Sequence, residues 1–84
     1  MRTLYVGNLP WATKAEDLSE VFSAYGEVLG SRIITDRQTG RSRGFGFVEV
    51  NDEDADAMIS ALNGTELGGR VITVNEARPK RENR

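Results

Sequence analysis

The sequence predicts an α+β sandwich in which two helices cover one face of a four-stranded antiparallel sheet. Three short stretches alternate in polarity with the period of two that is typical of strands, and a fourth, at residues 28–35, is rich in β-branched residues. Two longer stretches repeat apolar residues every three or four positions, as amphipathic helices do. The stretches follow one another in the order β-α-β-β-α-β. Because each helix is apolar on one side only, both helices are expected to pack on the one apolar face of the sheet.

The first strand is predicted at residues 3–7, where Leu4 and Val6 share one parity and Tyr5 has the other. The proline that follows disfavours continued strand pairing, so a loop should come next. We interpret Trp11 in this loop as a cover over the edge of the core. A surface on which a ligand stacks is the alternative that its indole ring leaves open.

The first helix is predicted at residues 14–25. Thr13 and Glu16 have the spacing of a capping box at its start, and Gly26 has the position of a C′ glycine at its end. The apolar face of this helix is formed by Leu18, Val21, Phe22 and Tyr25.

The second helix is capped by Asn51 or Asp52 and is stopped by Asn63 and Gly64. Its apolar stripe is formed by Ala55, Met58, Ile59 and Leu62. The remaining strands are predicted at residues 28–35, 43–50 and 70–76. The strand residues expected to face the helices are Leu4, Val6, Val48, Ile72 and Val74.

Composition limits the classes of function that are open to this chain. Its 84 residues allow one small domain, and it contains neither cysteine nor histidine. Disulfides and thiolate zinc sites are thereby excluded, and the commonest general base and metal ligand is missing. We therefore expect no cofactor, no metal and no enzymatic activity. No signal-peptide pattern or membrane-spanning stretch is present, so an intracellular and cytoplasmic location is expected.

The net charge of −2 conceals a segregation of charge along the chain. Residues 14–27 have a net charge of −3, residues 51–66 a net charge of −5, and the rest of the chain a net charge of +6. The acidic segments coincide with the predicted helices, where acids in the first turn match the helix dipole and are not interpreted as a metal site. We expect an acidic helical side and a positive open face of the sheet.

The strand at residues 43–50 is unusual for a buried sheet. One parity carries Arg43, Phe45, Phe47 and Glu49, and the other carries Gly44, Gly46, Val48 and Val50. Aromatic rings bracketed by charges do not suit a core. Together with Tyr5 they place three rings on the face that the helices leave open. A soluble protein rarely exposes such a cluster without a use, so a flat ligand is expected there.

These residues also carry a resemblance to a known family. Residues 43–50 (RGFGFVEV) resemble the RNP1 motif of the RNA recognition motif (RRM) family, K/R-G-F/Y-G/A-F-V-x-F/Y, and depart from it at Val50 alone. Val50 has the inward parity, so the departure should affect packing rather than binding. Residues 4–9 (LYVGNL) resemble the partner motif, RNP2. Over residues 2–78 the chain resembles the single-RRM proteins of bacteria and the RRM domains of plant glycine-rich RNA-binding proteins.

The resemblance implies a ferredoxin-like βαββαβ fold and binding of single-stranded RNA, with single-stranded DNA as an alternative ligand. It implies that Tyr5 and Phe45 each stack a base, that Phe47 packs on a sugar and that Arg43 pairs with a phosphate. It also implies that Arg78 and the backbone near Ala77 read base edges. Further residues that it places on the open face are Arg32, Ile34, Thr73 and Asn75, and those that it turns inward are Val28, Ser31 and Ile33.

The resemblance divides the chain into an RRM at residues 1–78 and a flexible basic tail at residues 79–84. We expect a monomer that binds about two to four nucleotides with modest affinity, since two stacked bases contribute roughly 2–6 kcal/mol. Its role would be post-transcriptional RNA regulation or chaperoning. The alternative is a protein-interaction module that docks a basic partner on the acidic helical side. Catalysis is the third possibility, and no catalytic constellation supports it.

Overall fold

The structure, a computed structural model, describes residues 1–36, 38–40 and 42–77, with residues 42 and 43 described by their backbone alone. The helices are α1 (Ala15–Ser23) and α2 (Asp52–Leu62). The strands are β1 (Arg2–Gly7), β2 (Val28–Thr35), β3 (Ser42–Val50), β4 (Glu66–Leu67), β5 (Arg70–Val71) and β6 (Thr73–Glu76). The predicted α+β order is confirmed. A short hairpin of β4 and β5, which the sequence did not predict, precedes the last strand.

The four longer strands form one antiparallel sheet in the order β2-β3-β1-β6, so β3 and β1 are its central strands. In the register of this sheet Tyr5 lies opposite Phe47 on one side and opposite Asn75 on the other. Gly7 lies opposite Phe45. Since α1 packs mainly on β2 and α2 on β6 and β1, the two helices together cover one face of the sheet.

The core lies between that face and the helices, as predicted. Every strand residue expected to face the helices is at most 1% exposed, and Val50 is fully buried as well. Burying a side chain of this size contributes about 1.5–3 kcal/mol relative to leaving it exposed, so the alternation that fills the core also fixes which residues face outward. The helices contribute Leu18, Phe22, Ala55, Met58 and Leu62 to this core.

Strand β2 departs from simple alternation. Its pairing with β3 shifts register between Val28 and Gly30, which allows Val28 and Ile33 to pack against the core although their parities differ. Ser31 also points inward, because its hydroxyl donates to the Ala15 carbonyl at 2.9 Å. The inward positions implied by the family resemblance are therefore confirmed.

The start of α1 differs from the prediction by one residue. The helix is capped at Lys14, whose backbone N–H donates to Asp17 Oδ2 at 2.9 Å. The backbone N–H of Thr13 instead donates to the Pro10 carbonyl at 3.1 Å, so Thr13 belongs to the preceding turn and is nearly buried. The predicted capping box of Thr13 and Glu16 was wrong for this reason.

The end of α1 also comes earlier than predicted. The helix ends at Ser23, and the Tyr25 N–H donates to the Phe22 carbonyl at 3.0 Å. Tyr25 is 48% exposed and is not part of the buried face. Gly26 does not have the left-handed conformation of a C′ glycine. Gly26 instead lets the Asp54 side chain pack closely against the backbone, because a Cβ at this position would lie 2.6 Å from a carboxylate oxygen of Asp54.

Helix α2 begins and ends where the sequence predicted. Asn51 is its N-cap residue, although the Asn51 side chain does not cap the helix and donates instead to Glu27 Oε1 at 3.3 Å. At the other end Asn63 is the C-cap, and Gly64 has a φ of +86°. A left-handed residue at this position ends a helix, and glycine adopts it without strain.

The strand predicted at residues 70–76 is divided at Ile72. The Ile72 N–H donates to the Thr65 carbonyl at 2.8 Å, and its carbonyl accepts from the Gly64 N–H at 2.9 Å. These bonds hold Ile72 against the turn after α2. Residues before it pair within the hairpin, and residues after it pair with β1.

Candidate nucleic-acid interface

Three aromatic rings lie together on the face of the sheet that the helices do not cover. Tyr5 comes from β1, and Phe45 and Phe47 come from β3, each with its side chain half-buried. The ring centroids are 5.7 Å apart for Tyr5 and Phe45, 6.1 Å for Tyr5 and Phe47, and 6.0 Å for Phe45 and Phe47. These separations are those of favourable aromatic pairs. We call these residues the ring cluster.

The position of the Tyr5 ring depends on Gly7. Register places Tyr5 opposite Phe47, yet the Tyr5 ring is closer to Phe45, because it leans along β1 over Gly7. A Cβ at position 7 would lie 2.5–2.8 Å from the hydroxyl and ring atoms of Tyr5. The glycine that follows Tyr5 on the same face therefore makes room for the compact cluster.

Arginine flanks the ring cluster on the β2 side. The guanidinium carbon of Arg32 lies 5.3 Å from the centroid of the Phe47 ring, within the range of a cation–π interaction. The two strands are close here, since a Cβ at Gly46 would collide with the Arg32 carbonyl oxygen. Ile34 alternates with the inward Ile33 and is half-buried. The contact of Arg32 with the Phe47 ring puts Arg32 on the open face, as the family resemblance implied.

The β6 side of the face is polar. Thr73 and Asn75 are exposed, and they lie opposite Gly7 and Tyr5 in the register with β1. The Ala77 N–H donates to the Thr3 carbonyl at 2.9 Å, so this donor is used within the protein. Two predicted site groups cannot be placed on this face. Arg43 is described by its backbone alone, and Arg78 lies outside the described residues. The tail at residues 79–84 and the loop arginines at positions 37 and 41 lie outside them too.

A cleft beside the ring cluster was not found from the sequence. It has a volume of about 310 Å³, and its lining includes Tyr5 and Phe45 of the ring cluster, Trp11 of the β1–α1 loop and Arg70 of the hairpin. Trp11 is 70% exposed, so the interpretation of Trp11 as a cover over the core was wrong. No sequence signal pointed to Arg70, because its placement depends on a hairpin that was not predicted. We call this feature the loop cleft.

The distribution of charge agrees in part with the sequence prediction. Arg32 and Arg70 lie on or beside the open face. Arg2 does not, since its guanidinium is 3.6 Å from carboxylates of Asp56 on α2 and Glu76 on β6. The other arginines that predicted a positive face lie outside the described residues or, for Arg43, have no described side chain.

The pKa of Asp52 lies below its ordinary value. The hydrogen bond and the charge of the N-terminal amino group lower the pKa of Asp52, and Arg2 lowers it further. The amino group lies 2.9 Å from Asp52 Oδ1. Asp52 begins helix α2, and the ion pair therefore belongs to the helical side of the domain.

The described residues form neither a cluster that could hold a metal ion nor a helix that could span a membrane. Among residues 1–36, 38–40 and 42–77, no three acidic, histidine or cysteine side chains are grouped to hold a metal ion. In the same part of the chain, no helix is both long and apolar enough to cross a membrane.

The chain was compared with known protein families and their members. Residues 4–73 match the model of the RNA recognition motif. The chain is 59% identical over 78 residues to glycine-rich RNA-binding protein 8 of Arabidopsis thaliana, which covers 90% of this chain and 46% of the plant protein. It is 53% identical over 81 residues to RbpE of Nostoc sp., which covers 95% of this chain and 82% of that protein. The chain thus spans about half the length of the plant relatives that it matches.

Solved structures share the fold over nearly the whole chain. The crystal structure of RNA-binding protein PG1 superposes with a TM-score of 0.90 at 46% identity, covering 98% of this chain and 100% of that one. The RRM of Rna15, solved with bound RNA (GU), superposes with a TM-score of 0.81 at 30% identity, covering 93% of this chain and 84% of that one.

Proposed function

The chain belongs to the RNA recognition motif family, and we propose that it binds single-stranded RNA by stacking bases on the ring cluster. The observation that carries this proposal is the meeting of Tyr5, Phe45 and Phe47 on the uncovered face, within 5.7–6.1 Å of one another. A base presents a flat π-face, and such a face stacks on exposed rings whatever the base identity. In this proposal Tyr5 and Phe45 each stack a base and Phe47 packs on a sugar.

Polar groups around the ring cluster would orient the strand. We assign phosphate pairing to Arg43 and base-edge contacts to Arg32, Thr73, Asn75 and Arg78. Thr73 and Asn75 support this assignment by their exposure beside β1. Because the Ala77 N–H is already bonded, only the carbonyl of Ala77 is assigned to an incoming base edge.

The affinity should be modest. Base–aromatic stacking contributes about 1–3 kcal/mol per base, and ordering a flexible strand opposes it. An overall charge of −2 adds little long-range attraction for RNA. We therefore propose a footprint of about two to four nucleotides on the ring cluster, with base preference set by the β6 side.

The wider role follows from the same proposal. We assign the RRM to residues 1–78 and a basic tail to residues 79–84, and we propose a monomeric, non-catalytic intracellular protein of the cytoplasm that regulates or chaperones RNA after transcription. Single-stranded DNA is a weaker ligand in this proposal. The relatives whose names describe RNA binding support the RNA part of it.

The test is a comparison of two ring deletions. RNA selected from a random pool on the wild-type protein is titrated into Phe45→Ala and into Tyr25→Ala. Phe45 belongs to the ring cluster, whereas Tyr25 is an exposed ring that lies after α1. The first change should weaken binding by about 1–3 kcal/mol and the second should not. Equal affinities of Phe45→Ala and the wild type would contradict the stacking role.

The docking alternative predicts the opposite pattern. If a basic protein bound the acidic helices, charge reversal at Asp17 or Asp56 would abolish its binding, and Phe45→Ala would leave it intact. The ring cluster has no part in such an interface, and its presence is therefore the observation that favours RNA.

A further inference from the structure

The loop cleft continues the surface of the ring cluster. Its lining contains Tyr5 and Phe45, the two rings assigned to base stacking, together with Trp11 and Arg70. A strand of RNA that stacks on the two rings therefore reaches the cleft without leaving the protein surface. Any occupant of this volume of about 310 Å³ is in contact with the proposed binding face.

Arg70 is held at the mouth of the cleft by Asn8. Its Nη2 donates to Asn8 Oδ1 at 2.6 Å, and its Nε donates to the Asn8 carbonyl at 3.4 Å. Asn8 in turn donates from Nδ2 to the Val71 carbonyl at 2.6 Å, which fixes the hairpin against the end of β1. Asn8 has a φ of +60°, a left-handed conformation that asparagine tolerates better than most residues. The arginine head is thus positioned before any ligand arrives.

Arg70 brings a positive charge to the loop cleft. Within the described parts of the chain, no carboxylate lies at ion-pair distance from its guanidinium. Guanidinium groups have five N–H donors in a fork that matches a phosphate. Since the described bonds to Asn8 use two nitrogens, the remaining donors can serve an anion.

Trp11 supplies an aromatic surface on the same cleft. Its side chain is 70% exposed, although indole is among the side chains that proteins most often bury in large part. An exposed indole and a guanidinium that line the same cleft suit a nucleotide, because the base stacks on the ring and the guanidinium donates hydrogen bonds to the phosphate oxygens.

We propose that the loop cleft binds one further nucleotide of the RNA, which stacks on Trp11 and pairs through its phosphate with Arg70. This inference rests on the proposed function and extends the footprint beyond Tyr5 and Phe45. A peptide is a poorer occupant, because the cleft opens onto the ring cluster that the bases occupy. The nucleotide bound here would be placed by the loop and the hairpin rather than by the sheet.

The experiment measures how affinity grows with RNA length. A hexamer selected on the wild-type protein and its nested trimers are titrated into the wild type, Trp11→Ala, Arg70→Gln and Phe45→Ala. Tyr25→Ala is the matched control for loss of an exposed ring, and Arg2→Gln is the matched control for loss of one positive charge. Thermal unfolding of every variant checks that the fold is retained.

We expect the wild type to gain affinity from trimer to hexamer. Trp11→Ala should reduce that gain roughly 5- to 160-fold, which is the range of one stacked base, and Arg70→Gln should reduce it several-fold. The affinity for the best trimer should change by less than about twofold in both variants. Arg70→Lys keeps the positive charge and loses the forked set of donors. Its gain in affinity from trimer to hexamer should lie between those of Arg70→Gln and the wild type. Both control variants should show the wild-type gain.

Trp11 is the one tryptophan of the chain, so its fluorescence reports directly on the cleft. Saturation with the hexamer should quench it more strongly than saturation with the trimer. The inference is overturned if Trp11 fluorescence is unchanged at saturation with the hexamer, or if Trp11→Ala and Arg70→Gln gain as much affinity from trimer to hexamer as the wild type. The effect of Phe45→Ala on trimer binding tests the ring cluster separately. If neither length binds the wild type, the proposed function fails and this inference fails with it.

Discussion

The ring of Tyr5 lies over Gly7, two residues further along β1 on the same face of the sheet, within 2.5–2.8 Å of where a Cβ would stand. This contact turns the Tyr5 ring toward Phe45, its diagonal neighbour, instead of leaving it above Phe47 alone. The shape of the ring cluster is therefore determined by a residue that carries no side chain.

Gly7→Ala should disrupt the ring cluster without removing a ring. The new methyl group would occupy the space of the Tyr5 ring, so the ring has to swing away from Phe45. We expect the binding free energy for RNA to weaken by up to the contribution of one stacked base, about 1–3 kcal/mol. Calorimetric titration measures this loss. Gly30→Ala is the control, because its Cβ would meet only the carboxylate of Glu49. Full affinity of Gly7→Ala would show that the position of the Tyr5 ring does not matter.

Gly46→Ala should act on stability rather than on a binding group. A Cβ at this position collides with the backbone carbonyl of Arg32 on β2, and a strand backbone cannot move aside as a side chain can. Overpacking of this kind costs about 1–3 kcal/mol, so the midpoint of urea denaturation should decrease accordingly. Gly30→Ala on the neighbouring strand should change the midpoint little. Equal midpoints for the two variants would mean that β2 and β3 separate freely.

Arg32→Gln should relax base preference. The guanidinium is held 5.3 Å from the centroid of the Phe47 ring, beside the sugar that Phe47 is proposed to contact. A lost base contact costs about 1–3 kcal/mol at one position of the RNA and leaves the salt slope unchanged, whereas a lost phosphate contact weakens all sequences alike. Binding to an array of single-base variants of the selected RNA, at two salt concentrations, separates these outcomes. A uniform loss with a reduced slope would reassign Arg32 to phosphate.

The salt dependence of wild-type binding should be shallow. One to three phosphate contacts on a single strand give a log–log slope between about −0.7 and −2. Affinity measured from 50 to 500 mM KCl tests this. A steeper slope would show that the arginines outside the described residues make most of the contacts.

Asp52→Asn should lower thermal stability at neutral pH and have no effect in strong acid. The amino group of Met1 lowers the pKa of Asp52 in the folded chain. The stabilisation by this ion pair is therefore complete above the unfolded pKa of about 3.8 and is lost as pH falls through the lower folded pKa. The thermal unfolding midpoints of the wild type and Asp52→Asn, measured from pH 7 to pH 2, test this pH dependence. Glu53→Gln is the control, because Glu53 is in the same first turn and has no ion pair among the described residues. Parallel pH profiles for Asp52→Asn and the wild type would exclude the assigned ion pair.

The sheet and its core could be predicted because their periodicities extend over several residues. Leu4, Val6 and Val48 alternate with the rings, and burial of one parity exposes the other. Tyr25 misled the prediction because it continues the helical spacing beyond the residue where the hydrogen bonding of α1 ends. Apolar periodicity predicts which residues share a helix face, and it does not predict where the helix ends.

The loop cleft could not be predicted for a different reason. Strands of two residues, such as β4 and β5, are too short to show alternation, so Arg70 was assigned to the last strand of the sheet. Trp11 lies in a turn, where no periodicity distinguishes an exposed ring from a buried one. Its neighbours across the cleft come from distant parts of the chain, and only tertiary structure brings them together.

The hairpin pairs with itself and not with the main sheet, and it is joined to the rest of the domain by the packing of Leu67 on the core and by the hydrogen bonds of Asn8 with Arg70 and Val71. Substitutions at its other positions, such as Glu66, should therefore leave the register of the strands that carry Tyr5, Phe45 and Phe47 unchanged. The hairpin can vary in sequence while the pairing of the central strands stays the same.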